Sequence, residues 1–510
     1  MKSIFKPGLY ITKQNYRIGA TIILFFVAVL FLLSCTNNKS KKAEAQPVPP
    51  NVLFIAVDDL NNWLGCMNGH PNAKTPNMDK LASQGVLFTN AHCQAPLCGP
   101  SRASLMTGLR PSTTGIYGMI DDNKIRTDNE VTKDILYLPE YFRNNGYHTL
   151  GIGKLFHTHA PDGVFDESGG RYKGFGPLPK ERFVWDGYGT SERGKYGRTS
   201  TDWGAFPEAD SLMPDHQSAD WTIERLNRDY DKPFFLGVGF LRPHVPLYVP
   251  QKWFDMHPLE GLEMTPYKAD DLDDVPPVAL KINDLPMMPS TDWAIKTGNW
   301  AKIIQAYLAC VSFVDYEVGR VLDALQNSKY AKNTIVVLWS DHGYRLGEKG
   351  TFAKHALWEE ATNAPLIFAG PKLPKGKVIN VPTEMLSIYP TLLDLCGLPA
   401  YDRNEGLDLV TLMMGKEQKA PLAITTFGMN NHGLRTPNYR YIRYEDGGEE
   451  LYDHTNDPNE WTNLAGNPEY LPIKTDLQNR LPEINSKWNI HSSYTFQPYF
   501  VEQKERTSKE

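Results

Sequence analysis

Asn51-Val52-Leu53-Phe54-Ile55-Ala56-Val57, closed by Asp58-Asp59, is the stretch that decides the fold. The unbroken apolar run, with no alternation, reads as a strand buried on both faces, as in a parallel sheet covered by helices. Ligands of such sheets bind beyond the carboxyl ends of the strands, where Asp58 and Asp59 fall. Adjacent like charges there are costly without a compensating cation; a solvated loop is the alternative reading. The pattern recurs along the chain. Residues 233–240 deliver Arg242-Pro243-His244, and 334–339 close on Ser340-Asp341-His342-Gly343. The shorter run 149–152 delivers Lys154 and His157, and Lys354-His355 sits in the loop before a strand at 365–368. Helical spacing over 75–84, 138–145, 300–325 and 384–396 supplies the flanking layers. The expected architecture is therefore α/β, with a large, mostly parallel central sheet flanked by helices. After Asp408 short strands at 423–427, 433–435, 440–444 and 450–453, with a helix near 471–481, predict a smaller C-terminal antiparallel sheet. Two segments lack periodicity. Residues 160–215, rich in Gly, Pro, Arg and aromatics, read as a long functional loop, and 256–292 as an acidic, proline-rich surface excursion.

The 510 residues balance 53 basic against 59 acidic side chains, a net charge of −6. That speaks against a nucleic-acid binder, so a polyanionic ligand has to be held by a local pocket. Lys2, Lys6, Lys13 and Arg17 precede an apolar run from Ile18 to Leu33, then Ser34-Cys35. This is the pattern of a bacterial lipoprotein signal (1–35) cleaved before and lipidated at Cys35, or of an uncleaved membrane anchor; either places the bulk of the chain outside the cytoplasm. A polar linker (36–50), a catalytic domain (51–415) and a C-terminal α+β part (416–510) follow, with the lipid as the only membrane contact expected. Six cysteines, at 35, 66, 93, 98, 310 and 396, are too sparse for a disulfide scaffold, though a Cys93–Cys98 bridge stays open.

Cys98-Gly99-Pro100-Ser101-Arg102 opens a segment that reads as helix, with Pro100 in the first turn. A thiol at a helix N-terminus, with an arginine one turn on, makes an anion site containing a nucleophile; a cap beside a buried cysteine is the plainer reading. Asp58, Asp59, Asp341 and His342 form an oxygen-rich set at two strand ends, suited to a hard divalent cation such as Ca²⁺ or Mg²⁺. Arg102, Lys154, His157, His244 and Lys354, if they converge, make a pocket for a tetrahedral oxyanion with a histidine as general acid.

Cys98-x-Pro100-Ser101-Arg102, with Thr107-Gly108 and Arg110-Pro111, resembles the signature of the type I sulfatases. Asn51–Leu60, Thr75-Pro76-Asn77, Gly153-Lys154-x-Phe156-His157, Arg242-Pro243-His244-x-Pro246, Ser340–Gly343, Leu451-Tyr452-Asp453 and Asn456-Asp457-Pro458-x-Glu460 resemble, in order, the iduronate-2-sulfatase-like branch. The resemblance implies an alkaline-phosphatase-like fold and hydrolysis of a sulfuric ester on a carbohydrate, such as a 2-O-sulfated uronate or an algal glycan like ulvan. It also implies conversion of Cys98 to formylglycine (3-oxoalanine) by a maturation enzyme, and one Ca²⁺ held by Asp58, Asp59, Asp341, His342 and residue 98. Arg102 would steady the hydrated aldehyde, Lys154, His157 and Lys354 would hold sulfate oxygens, and His244 would protonate the leaving sugar oxygen. Arg242, Tyr344 and His355 are candidate substrate contacts. The chemistry is coherent: an aldehyde hydrate has one hydroxyl to attack sulfur and a second to expel sulfate, an exit that a thiol or serine lacks.

Two positions depart from the branch. Tyr344 stands where those relatives carry tryptophan, and Asn430-Asn431-His432 where they carry a lysine, so the chemistry transfers better than the substrate. The rival readings are a phosphodiesterase or phosphonate monoester hydrolase of the same superfamily, and a non-catalytic glycan-binding lipoprotein.

Overall fold

The computed structural model describes residues 49–172, 174–185, 200–416 and 422–509, and 49–510 form one compact unit. The signal-like segment lies outside the described residues; among these, no helix is long and apolar enough to cross a membrane.

Eight strands form the central sheet, in the order Lys377–Ile379, Gly85–Phe88, Leu366–Ala369, Thr334–Ser340, Asn51–Val57, Phe234–Phe240, His148–Gly153 and Glu167–Gly170. Asn51–Val57 lies at its centre, parallel to both neighbours and fully buried, as its unbroken apolar run requires. Alternate residues serve opposite faces. Leu53, Ile55 and Val57 pack with the Trp300–Asn327 and Pro214–Leu226 helices; Val52, Phe54 and Ala56 pack with Cys98–Thr107, Leu138–Asn144 and Ile388–Leu395. Leu366–Ala369 runs antiparallel to both its neighbours. The chain after Ser340 loops at the carboxyl end of the sheet and re-enters from that end, with no crossover to reverse it.

Ala423–Thr426, His432–Arg435, Tyr439–Arg443 and Glu449–Asp453 form the expected antiparallel meander. Leu434, Tyr441 and Leu451 pack with the Leu471–Gln478 helix, while Phe427, Ile442 and Tyr452 join Leu97, Tyr117, Leu357 and Trp358 in a cluster shared with the larger sheet's loops. Several elements went unread in the sequence, among them the edge strands Glu167–Gly170 and Lys377–Ile379 and the helices Pro214–Leu226 and Pro498–Thr507.

Candidate active site

Sheet register begins the site. Val57 pairs with Ser340, so Asp58 and Asp341 leave adjacent strands at the same level. Asp59 turns in the left-handed region (φ 61°); its N–H donates to Asp341 Oδ1 (3.2 Å) and its carbonyl accepts from the Tyr307 hydroxyl (2.8 Å). Gly153 has φ 78°, and a Cβ there would lie 2.0 Å from the Gly239 carbonyl oxygen, so glycine is what lets this strand end turn Lys154 into the site. Lys154 Nζ meets Asp58 Oδ2 at 2.5 Å.

Cys98 occupies the first turn of the Cys98–Thr107 helix. Its Sγ lies 3.3 Å from His342 Nε2 and 3.1 Å from Lys354 Nζ, and that ammonium is 2.6 Å from Asp59 Oδ1. The His342 Nδ1 atom is 2.9 Å from the Gly343 carbonyl, which can only accept; Nδ1 therefore carries the proton and Nε2 presents a lone pair. Arg102, one turn on, donates through Nε to Asp341 Oδ2 (2.8 Å), through Nη2 to Asp58 Oδ1 (3.2 Å) and through Nη1 to the carbonyls of Lys154 and Leu155. His244 donates through Nδ1 to the Val245 carbonyl (2.5 Å), stacks on Phe175 with centroids 4.2 Å apart, and places Nε2 4.0 Å from Asp59 Oδ2.

All these groups are buried, and burial competes with neighbouring charges to shift the titration of several. It opposes ionisation of Asp58, yet Lys154, His244, Arg102 and Lys354 together hold that carboxyl well below its ordinary range. Asp59 is raised by burial and by Asp58 and Asp341, against the pull of Lys354 and His342. Burial drives the Cys98 thiol up to about 12 despite Lys154 and Lys354. It depresses His244, with Lys354 adding to the effect. The donor atoms of Asp58, Asp59, Cys98 and His342 all lie within 4.8 Å of one another, and Asp59 Oδ2 is buried with no hydrogen-bond partner. Asp341 stands at the rim of this group, its Oδ2 3.6 Å from His342 Nε2. An unpaired carboxylate oxygen among acidic donors is the setting a hard cation fits.

The structure thus brings together Asp58, Asp59, Cys98, Arg102, Lys154, His244, Asp341, His342 and Lys354. His157 flanks them, half-buried; burial and Lys154 push its ring down to about 3. The substrate candidates need correction. Arg242 is fully buried and spends its donors on the carbonyls of Tyr248, His244 and Phe175. Tyr344 is buried, donates to the Phe352 carbonyl (2.9 Å) and stacks on Tyr307. Both shape the site from behind. His355 Nε2 is 2.6 Å from the Tyr494 hydroxyl, while its Nδ1 is buried without a partner. Asn431 and His432 are likewise buried and internally bonded. Cys93 and Cys98 are both free thiols, so no bridge joins them.

Tyr307, Phe175, Arg171 and Tyr494 were missed. Tyr307 sits on an ordinary helical face, and Phe175 and Arg171 lie in an aperiodic loop; Tyr494 is distant in sequence and carries no motif.

Such a site at the carboxyl end of an α/β sheet defines a hydrolase of anionic esters. Residues 50–398 match the family model described as Sulfatase, and 347–487 the one described as N-sulphoglucosamine sulphohydrolase, C-terminal. The chain belongs to the sulfatase family and is a sulfuric ester hydrolase. It is 66% identical over 486 residues to a sulfatase of Formosa agariphila, across 94% of this chain and 96% of that one. Against the iduronate 2-sulfatase of Homo sapiens it is 33% identical over 408 residues, across 77% of this chain and 72% of that one. The phosphonate monoester hydrolase of Agrobacterium radiobacter superposes with a TM-score of 0.66 at 21% identity, across 84% of this chain and 94% of that one, a likeness of fold alone.

Proposed function

We propose that the protein is an exported sulfatase that removes sulfate from a sulfated, uronate-containing glycan. The observation that carries the reading is the sharing of one small buried volume by Asp58, Asp59, Cys98 and His342, with a carboxylate oxygen left unpaired. Asp58, Asp59, Asp341 and His342 would hold Ca²⁺, whose oxygen preference suits this set. When bound, the ion supplies Lewis-acid charge against the ester oxygens. As a thiol raised to about 12, Cys98 stays protonated near neutrality and is a weak nucleophile. Formylglycine at this position would supply, as its hydrate, one hydroxyl to attack and a second to release sulfate. Cys98 is 1% exposed, so a formylglycine-generating enzyme has to act before the chain folds.

The protein's own side chains do the rest. Arg102 is ion-paired with both Asp58 and Asp341 and, with Lys154, keeps Asp58 ionised in a dry site. The ammonium groups of Lys154 and Lys354, with the ring of His157, hold the sulfate oxygens. His244, neutral in the free enzyme, would take up a proton at Nε2 from solvent as the anionic substrate binds and pass it to the departing sugar oxygen, while Nδ1–H on the Val245 carbonyl fixes the ring. The human relative's name, iduronate 2-sulfatase, supports a 2-O-sulfated uronate as substrate. Residues 51–415 would carry the chemistry and 416–510 would complete the substrate side, the whole tethered by lipid at Cys35 outside the cytoplasm.

The test is sulfate release from sulfated oligosaccharides by protein co-produced with a maturation enzyme, with mass spectrometry reading residue 98. Sulfate release by the matured protein, abolished in Cys98→Ala, is the expected result. Retained turnover in Cys98→Ala, or faster turnover of phosphonate monoesters than of sulfate esters, would overturn the reading.

A further inference from the structure

The geometry points to Arg171 as the residue that reads a second anion on the substrate, the carboxylate of the sulfated sugar, an inference that rests on the sulfatase reading above. The cations of the catalytic cluster each face a carboxylate of the chain itself: Arg102 faces Asp58 and Asp341, Lys154 faces Asp58 and Lys354 faces Asp59. Arg171 differs. Its Nη1 donates to the carbonyls of His157 (3.3 Å) and Thr158 (3.4 Å) and its Nη2 to that of Gly174 (3.3 Å). Among the described residues it pairs with no carboxylate, and its Nε is buried with no partner at all. A guanidinium has five N–H donors; three long bonds leave Nε–H and one Nη2–H unclaimed. Arginine presents such donors in a planar fork, which matches a planar carboxylate with two parallel bonds.

Its position ties this vacant donor pair to the reaction. The guanidinium carbon lies 5.1 Å from the centre of the Phe175 ring, and Lys154 Nζ lies 5.6 Å from the same ring. His244 is stacked on that ring. One aromatic side chain therefore contacts the proposed leaving-group acid, a proposed sulfate-binding lysine and Arg171. The cation is also held in place in advance: Asp122 accepts the backbone N–H groups of His157 (3.1 Å) and Thr158 (2.8 Å), fixing the two residues whose carbonyls hold Arg171. A preorganised cation with no direct carboxylate partner beside the sulfate pocket attracts a ligand with a second negative charge a few atoms from the ester.

The test uses Cys98→Ala protein, so that binding is read without turnover. Calorimetry compares a 2-O-sulfated uronate disaccharide with the same disaccharide whose carboxyl is reduced to an alcohol. The parent should bind the carboxylate form about tenfold or more tighter, as expected for charge-assisted hydrogen bonds. Arg171→Gln should erase that preference and Arg171→Lys, which keeps the charge but not the fork, should restore part of it. A parent that binds both forms alike, or a preference that survives Arg171→Gln, overturns the proposal. So does a third arm, a carboxyl-reduced disaccharide bearing a second sulfate, if it alone loses affinity in Arg171→Gln, because the anion read would then be a sulfate. Turnover of a simple aryl sulfate by the matured protein reports separately on the sulfatase reading, so the two failures are distinguishable.

Discussion

His244 shows how a single side chain's surroundings fix its chemistry. Its Nδ1–H is committed to the Val245 carbonyl and its ring to Phe175, so Nε2 alone faces the buried carboxylates. Burial and Lys354 keep the ring neutral in the absence of substrate. The proton it is proposed to deliver matters most when the leaving group is a basic sugar alkoxide and little when it is an acidic phenol. His244→Ala should therefore lower kcat/KM on sulfated sugars by about a hundredfold or more, the usual scale of general-acid catalysis. On nitrophenyl sulfate the loss should stay below about tenfold. Equal losses on both substrates would remove His244 from the proton's path.

At the scale of elements, the small antiparallel sheet is fastened by a buried ionic network as well as by its apolar face. Arg435 on one strand donates to Glu359 Oε2 (2.9 Å); Arg440 on the next donates to Glu359 and its Nε is ion-paired with Glu460 Oε1 at 2.6 Å; His454 is 2.9 Å from Glu460 Oε1. Burial opposes ionisation of Glu359, but Arg435, Arg440, His92 and His454 hold its carboxyl well below the usual range. Arg440→Ala removes the guanidinium that the two carboxylates share, leaving Glu359 to Arg435 and Glu460 to His454, and should cost about 3 kcal/mol in urea denaturation at pH 7. The pH dependence has a definite sign. A carboxylate depressed on folding stabilises above its unfolded value of about 4.3, and that stability is lost as pH falls through the folded value. Wild type should therefore exceed Glu359→Gln in stability at pH 7, and the two should converge as the pH is lowered toward 3. A gap that stays constant over that range would mean that Glu359 contributes by packing and not by charge.

Over the whole molecule, what was legible in the sequence is what short-range pattern records. The run at 51–57 and its counterpart at 334–339 fix a parallel core, and residues at their ends necessarily share one edge of the sheet, so Asp58, Asp59, Asp341 and His342 could be grouped from spacing alone. Cys98 and Arg102 were readable because one helical turn separates them. Hidden were the groups placed by long loops. Arg171 and Phe175 arrive through a segment with no period, and Tyr494 comes from beyond residue 487, where the second family model ends. Arg242 and Tyr344 were misplaced for a related reason, since sequence adjacency to a site residue does not say which way a side chain turns. The chain's net charge of −6 is too diffuse to favour one cation over another, so selectivity has to come from the local donors. Calcium tolerates irregular, carboxylate-rich ligation, whereas magnesium demands near-ideal octahedra and keeps its waters. Calcium at one hundred times its Kd should add about 2.7 kcal/mol to the folded state by mass action. In a chain this long that raises Tm by about 3 °C. Magnesium at the same concentration should do less. Asp59→Asn removes the unpaired oxygen and should abolish the calcium shift in scanning calorimetry. A shift of equal size in Asp59→Asn would assign the cation to the diffuse surface charge, and the acidic cluster beside Cys98 would then have to be explained as an internally neutralised ion network.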